Sequence, residues 1–140
     1  MSAVDPPVVL VTEALPPDAA DRLVASTRMI VAAPAEREFD DAAPAARGLI
    51  VRTATAVDAA LLDRLPRLEV IGRAGVGLDT IDLAAARARD ITVCHTPHAN
   101  TQAVVEYVLT LVLDAIRPRH RLTSSVDAGT WGELRRTTVG

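Results

Sequence analysis

A glycine-rich turn flanked by arginines is the part of this sequence whose residue types could do chemistry. Gly75-Val76-Gly77 comes shortly after Arg73 and an apolar run, and Arg52 directly follows another apolar run. Two glycines let backbone N–H groups approach a small anion, and a guanidinium binds a carboxylate or phosphate through two parallel hydrogen bonds. The pattern is typical of a site for a small, doubly anionic ligand, and equally of a tight strand-to-helix turn beside two surface arginines.

The same turn looks like the start of the dinucleotide-binding fingerprint G-x-G-x-x-G, which places glycines at three fixed positions. Thr80 stands at the third of these positions. Asp79 is predicted to cap the following helix, which would put a carboxylate where a pyrophosphate has to lie. We therefore expect no dinucleotide phosphate at this turn.

Other reactive side chains follow the predicted strands or lie in a later helix. No metal site is expected at His95 and His98, because a catalytic zinc needs three protein ligands and no third candidate stands at a recognisable spacing. Cys94 ends an apolar run and is interpreted as a small core residue, since no base accompanies it. Glu106 lies in an apolar stretch, where it is either a buried pairing carboxylate or a site group.

The elements that must position these residues alternate between strand and helix. Short apolar runs without in-and-out alternation predict strands buried on both faces, and the intervening helices predict parallel, right-handed crossovers. The sequence thus predicts an α/β domain over residues 5–98, a flavodoxin-like doubly wound parallel sheet of five strands. The predicted strands are 8–11, 29–31, 48–51, 68–71 and 91–93, with helices over 18–26, through Phe39 up to Pro44, and over 57–65 and 80–89.

Residues 101–140 show a different pattern. Apolar residues cover most of the circumference of a long predicted helix over residues 101–117, so this helix needs partners on more than one side. The polar tail that follows is predicted to contain a second helix up to Ala128, a stop at Gly129, and Trp131 as its large apolar anchor.

Composition excludes several classes of protein. A chain of 140 residues with 49% hydrophobic residues is long and apolar enough to bury a core. A formal charge of -3 and very few aromatic residues argue against a nucleic-acid partner. The most apolar stretch is too short to span a bilayer, one cysteine cannot form an internal disulfide, and no secretion signal is recognised. We expect a cytoplasmic protein without a membrane contact.

Three blocks of the sequence resemble the D-isomer-specific 2-hydroxyacid dehydrogenases, and among them most closely the phosphoglycerate dehydrogenases. The blocks are Leu-Ile-Val-Arg-Thr-Ala-Thr at 49–55, Val-Ile-Gly-Arg-Ala-Gly-Val-Gly-Leu-Asp at 70–79 and Thr-Pro-His-Ala-Asn-Thr at 96–101. The second block is highly specific in that order. Val105-Glu106 and Gly129-Thr130-Trp131 extend the resemblance over essentially all 140 residues.

This resemblance implies a substrate-binding domain. Amides of the Val76-Gly77 turn would hold the substrate carboxylate with Arg73 nearby, and Arg52 would meet a phosphate. Val76 would also lie near the nicotinamide of NAD in the complete enzyme.

The resemblance also gives a role to the residues after the sheet. Asn100 and the start of the long helix would form the hinge into a nucleotide-binding domain. Helix 101–117 would build much of a homodimer interface.

Several departures from the family pattern limit what this chain is expected to do. The family's dinucleotide motif and its catalytic arginine, glutamate and histidine all lie beyond the position of Gly140, and His95 stands where relatives usually carry asparagine. Neither His95 nor His98 takes the place of the catalytic histidine. We therefore expect the chain alone to bind a small anionic 2-hydroxy or 2-oxo acid, to hold no cofactor and not to transfer hydride.

Two alternatives stay open. A stand-alone homologue could use its dimer cleft for non-redox chemistry, with Glu106, His95, His98, Glu13 and Tyr107 as the available acid or base groups. A regulatory protein could instead pair through its long helix with a full-length dehydrogenase.

Overall fold

The computed structural model describes residues 5–117 and, beyond these, residues 129, 130, 132, 133 and 136. The strands are β1 (Val8–Val11), β2 (Arg28–Val31), β3 (Ala46–Val51), β4 (Val70–Arg73) and β5 (Thr92–His95). The helices are α1 (Pro17–Val24), α2 (Arg37–Ala42), α3 (Ala59–Asp63), α4 (Leu83–Arg87) and α5 (Thr101–Ile116), with a short 3-10 helix at Ala43–Ala45. All strands are parallel in the order β2-β1-β3-β4-β5, which confirms the predicted flavodoxin-like sheet and the long helix after it.

Two compact units make up the chain, Met1–Ala99 and Asn100–Gly140. The first contains the sheet and helices α1 to α4, and the second begins at the residue before α5. The predicted helix up to Ala128 and the Trp131 anchor lie outside the described residues.

One face of the sheet carries the hydrophobic core. Right-handed crossovers place α2, α3 and α4 on this face and α1 on the other. Leu10, Leu49 and Ile71, one from each of the three central strands, are fully buried there. The helices pack Phe39, Leu61, Leu62 and Ala86 against them. Burial of these apolar side chains is the main force that holds the sheet and helices together.

Helices α3 and α4 begin later than the apolar pattern predicts. Asp58 and Asp82 cap them, each accepting a hydrogen bond of 2.8 Å from the backbone N–H three residues further on. Val57 and Ile81, predicted as helical, form a parallel bridge just before these caps. Val57 and Ile81 therefore pair with each other through their backbones and are not part of the helices.

Strands β4 and β5 end two residues later than predicted. β4 continues through Arg73, and β5 continues through Cys94 and His95. The pairing persists because β3 runs to Val51, which is the register partner of Arg73, and Arg73 in turn pairs with His95. The hydrophobic pattern stops too early because backbone hydrogen bonds between strands do not require apolar side chains.

The opposite face of the sheet is open beside α1. Val70 of β4 is 38% exposed, and Cys94 of β5 is also exposed. The prediction of burial on both faces is therefore wrong for these strands, and Cys94 is not a core residue. The reason is that α1 alone among the helices of the first unit packs on this face, while β5 is an edge strand. An apolar cavity of about 440 Å³ lies on this face of the sheet, and its lining includes Val9, Leu23, Gly48, Ile50 and Val70.

Helix α5 is apolar around most of its circumference. Its large apolar side chains are between 49% and 65% exposed: Val104, Val105, Tyr107, Val108, Leu109, Leu111, Val112, Leu113 and Ile116. In the described part of the chain, no helix has the length and apolar character needed to cross a membrane.

We predict that the two faces of the sheet respond differently to truncated side chains. Ile71→Ala removes a fully buried side chain and is expected to lower the free energy of unfolding by about 2–5 kcal/mol. Val70→Ala, one residue away on the open face, is the matched control and is expected to cost less than about 1 kcal/mol. Urea unfolding followed by circular dichroism measures both values. Equal costs would contradict the difference in burial between Ile71 and Val70.

Candidate anion-binding site

The carboxyl ends of β3, β4 and β5 lie side by side and carry both arginines and the glycine-rich turn. Val51, Arg73 and His95 are register partners across the three strands. The N–H of Ala74 donates to the carbonyl of Val51 at 2.9 Å, so Arg52 leaves the sheet next to the start of the turn. The fold thus brings Arg52, Arg73, His95 and the turn to one edge of the sheet.

Arg73 is a buried cation with an incomplete set of hydrogen bonds. The residue is 8% exposed, its Nη1 donates to the carbonyl of Ala74 at 3.0 Å, and its Nε has no partner among the described residues. No ion pair in the described part of the chain includes it. A buried charge is unfavourable unless it is paired and hydrogen-bonded, and an anion at this edge would satisfy both needs.

Gly75 makes room for the guanidinium of Arg73. A Cβ atom at position 75 would overlap Nη1 and would lie 2.8 Å from Cζ of Arg73. Among the described glycines, only Gly129 has a positive φ. The requirement for glycine at position 75 therefore comes from space and not from backbone conformation.

The carbonyl groups of the turn are held by β5, whereas two of its amides are available. The N–H of Thr96 donates to the carbonyl of Gly75 at 3.1 Å, and Nδ1 of His95 lies 2.9 Å from the carbonyl oxygen of Val76. The N–H groups of Val76 and Gly77 donate to no acceptor among the described residues. Successive unpartnered N–H groups beside a cation form a concavity that suits an anion.

Asp79 does not cap a helix, which corrects the prediction from sequence. Helix α4 begins only at Leu83, with Asp82 as its cap, because Asp79 and Thr80 lie in a turn closed by the N–H of Ile81 on the carbonyl of Leu78, and Ile81 then pairs with Val57. The Asp79 carboxylate instead lies against Gly77, where a Cβ atom would overlap its Oδ1. A dinucleotide phosphate needs a helix that opens at the glycine turn, so residues 75–83 do not fit this group.

Two hydrogen bonds anchor the loop that carries Arg52. The hydroxyl of Thr55 donates to the hydroxyl of Thr12 at 2.8 Å, and both residues are buried. The N–H of Ala54 donates to Oε1 of Glu13 at 3.1 Å. Glu13, a candidate acid or base from the sequence, thus contacts the loop backbone. Sequence reasoning misses Thr55, because a threonine in a loop gives no signal until its partner strand is known.

The two candidate histidines lie close together in the sequence and differ in their contacts. Both are exposed: Nδ1 of His95 lies 2.9 Å from the carbonyl oxygen of Val76, and His98 lies in the turn that follows β5. Among the residues that the structure describes, no cluster of three or more His, Cys, Asp or Glu side chains could hold a metal ion.

Three further candidates belong to the second unit. Asn100 precedes α5, and its carbonyl accepts from the N–H of Val104 at 2.9 Å. Glu106 is exposed and accepts from Nε2 of Gln102 at 2.8 Å, so it is not the buried carboxylate that was one of its two expected roles. Its neighbour one helical turn away supplies a polar partner on the helix surface. Tyr107 is 65% exposed.

Comparison with known proteins gives matches over almost the whole chain. Residues 9–135 match the family described as D-isomer specific 2-hydroxyacid dehydrogenase, catalytic domain. The D-3-phosphoglycerate dehydrogenase of Mycobacterium bovis is 37% identical over 126 residues, which are 89% of this chain and 24% of that enzyme. The (S)-sulfolactate dehydrogenase of Chromohalobacter salexigens is 48% identical over 85 residues, which are 61% of this chain and 28% of that enzyme.

Solved structures share the fold. The 2-hydroxyacid dehydrogenase of Ketogulonicigenium vulgare Y25 has a TM-score of 0.79 at 26% identity, over 93% of this chain and 42% of that one. The chain spans about a quarter of the length of the curated relatives it matches. Because the family match extends from β1 to beyond α5, the chain belongs to the D-isomer-specific 2-hydroxyacid dehydrogenases.

Proposed function

We propose that residues 5–98 bind a small 2-hydroxy or 2-oxo acid, as the substrate-binding part of a D-isomer-specific 2-hydroxyacid dehydrogenase. One observation carries this proposal: the amides of Val76 and Gly77, which have no partner among the described residues, directly follow Gly75, against which the buried guanidinium of Arg73 packs. A carboxylate has two acceptor oxygens and a full negative charge, so it can accept from two amides while it compensates a cation.

A second acidic group on the ligand would meet Arg52. Arg52 is exposed, and no residue in the described part of the chain pairs with it. Two relatives are named for 2-hydroxyacids with a second acidic group, phosphoglycerate and sulfolactate. We therefore propose a ligand whose carboxylate binds at the turn and whose phosphate or sulfonate binds Arg52, since a guanidinium accommodates either oxyanion.

Hydride transfer needs more than this site. The family depends on NAD. The turn does not fit a dinucleotide phosphate, and no complete G-x-G-x-x-G occurs in the 140 residues. We propose that these residues supply substrate binding, with Val76 near the nicotinamide, and that the redox step requires a nucleotide-binding part they do not contain.

The exposed apolar surface of α5 supports a second proposal, concerning partners. Monomeric proteins rarely leave a continuous apolar surface of this kind in water, because burial of apolar area is favourable. We propose that residues 101–140 form a hinge and dimerisation region, and that α5 pairs with a second copy of the chain or with a full-length dehydrogenase of the same family.

Ligand binding at the turn is tested by NMR titration of the 140-residue chain. We expect 3-phosphoglycerate to shift the amides of Val76 and Gly77 saturably and NADH to leave them unchanged. Arg73→Ala and Arg52→Ala should each weaken binding by about 10- to 100-fold, because each removes a charge-assisted hydrogen bond to the ligand.

The matched control for that titration is Arg67→Ala. Arg67 is an exposed arginine before the opposite, amino end of β4, and its loss should leave the affinity unchanged. Absence of saturable shifts at the turn, or equal losses for all three arginine variants, would contradict the proposed site.

The packing of Arg73 over Gly75 predicts a coupling between the two residues. Gly75→Ala should lower the free energy of unfolding by about 1–3 kcal/mol, because the new methyl group displaces the guanidinium. In an Arg73→Ala background the same substitution should cost close to nothing. Gly72→Ala is the control, because its Cβ would lie at an ordinary 3.5 Å from Ile50. Additive costs in a double-mutant cycle measured by urea unfolding would argue against this packing.

Self-association through α5 is tested by analytical ultracentrifugation. The wild-type chain is expected to sediment as a dimer at micromolar concentration, and the double variant Leu109→Glu, Leu113→Glu is expected to be monomeric because it places charges on the apolar surface. Val24→Glu, at an equally exposed apolar residue of α1, is the control and should remain dimeric. A monomeric wild-type chain would rule out the homodimer and leave a full-length relative as the partner to seek.

A further inference from the structure

His95, the last residue of β5, contacts the peptide group between Val76 and Gly77, whose N–H is one of the two available amides of the turn. Nδ1 of His95 lies 2.9 Å from the carbonyl oxygen of Val76. His95 is also the register partner of Arg73 on β4, whose own guanidinium bonds the carbonyl of Ala74. Two neighbouring strand ends therefore each contribute one side chain to the backbone of the same turn.

The chemistry of this contact fixes the proton on the ring of His95. A carbonyl oxygen only accepts hydrogen bonds, so Nδ1 must carry the hydrogen. In the neutral ring Nε2 is then the unprotonated nitrogen. The contact thus persists in both the neutral and the protonated ring, and the neutral form is held as the Nδ1–H tautomer.

Peptide planarity carries the effect from Val76 to Gly77. In a trans peptide group the C=O and the next N–H point in opposite directions. The backbone N–H of Thr96 holds the carbonyl of Gly75 and so directs the N–H of Val76 away from β5. The side chain of His95 does the same for the next peptide group, and so directs the N–H of Gly77 away from β5.

We infer that His95 is a positioning residue that orients the Gly77 amide toward the bound carboxylate. This inference rests on the proposed acid-binding function for the ligand, while the orientation of the peptide group is a property of the free chain. The Val76 amide is oriented by a backbone hydrogen bond from Thr96, whereas the Gly77 amide is oriented by the side chain of His95. His95 acts through the turn and does not itself contact the ligand in this role.

The experiment compares three variants of the 140-residue chain by NMR, without ligand and with 3-phosphoglycerate as the probe. His95→Phe keeps a ring but removes the donor, and His95→Asn restores a donor, because an asparagine Nδ2 lies at nearly the same distance from the backbone as a histidine Nδ1. His98→Phe is the matched control in the adjacent turn. Nitrogen-15 shifts of the His95 ring report its tautomer in the wild-type chain.

We expect the wild-type ring to be the Nδ1–H tautomer at alkaline pH. His95→Phe should move the Gly77 amide resonance, increase its hydrogen exchange with solvent and weaken 3-phosphoglycerate binding about tenfold, as for the loss of one hydrogen bond. His95→Asn should stay within about threefold of the wild-type affinity and restore the Gly77 resonance. His98→Phe should change neither.

Failure of this inference is distinct from failure of the proposed function. If the ring is the Nε2–H tautomer, or if His95→Phe leaves the ligand-free Gly77 amide unchanged, the positioning role is wrong. An asparagine variant as impaired as the phenylalanine variant would also overturn it. If 3-phosphoglycerate binds no form of the chain, the proposed function fails, and the ligand-free measurements still decide whether His95 orients the turn.

Discussion

Parallel pairing of β4 with both of its neighbours, up to its last residue, is the constraint on which the candidate site depends. Arg73 is a polar residue at the end of a strand, yet it is held between Val51 and His95 in register. This pairing brings the buried side chain of Arg73 to the turn, where it packs against Gly75. The same pairing makes Arg73 and His95 register partners, so the two side chains reach the turn from neighbouring strands.

The turn itself combines a strongly favourable environment for an anion with an opposing charge. Two unpartnered amides and a buried guanidinium favour a negative ligand, whereas the carboxylate of Asp79 lies against Gly77 and disfavours one. The burial of Arg73 without a carboxylate partner costs stability, which the hydrophobic core on the same face of the sheet, formed in part by Ile71 and Val51, offsets. Polar groups left unsatisfied in this way are characteristic of sites that a ligand completes.

The buried core and the exposed apolar surfaces of this chain lie in different places. The packed face of the sheet buries Leu10, Leu49 and Ile71 and holds the first unit together. Apolar surface remains on the open face of the sheet, around Val70, and along α5. The first surface lies within the first unit, which also contains the proposed acid site, and the second surface lies in the second unit, which contains the helix that we propose for association.

The sequence alone determined the class of the fold, because strand and helix patterns alternate and each short apolar run must be buried. It also determined the family, because the block around Arg73 and Gly75 is specific in its order, and it drew attention to Arg52 and the turn by their positions after strands. Tertiary structure decided the remainder. Arg73 and His95 lie inside strands, and Cys94 is exposed. Asp82, and not Asp79, caps the helix, and Thr55 forms a hydrogen bond with Thr12. These outcomes depend on hydrogen bonds and register between segments far apart in the chain, and the side-chain pattern of a single segment carries no information about its neighbour.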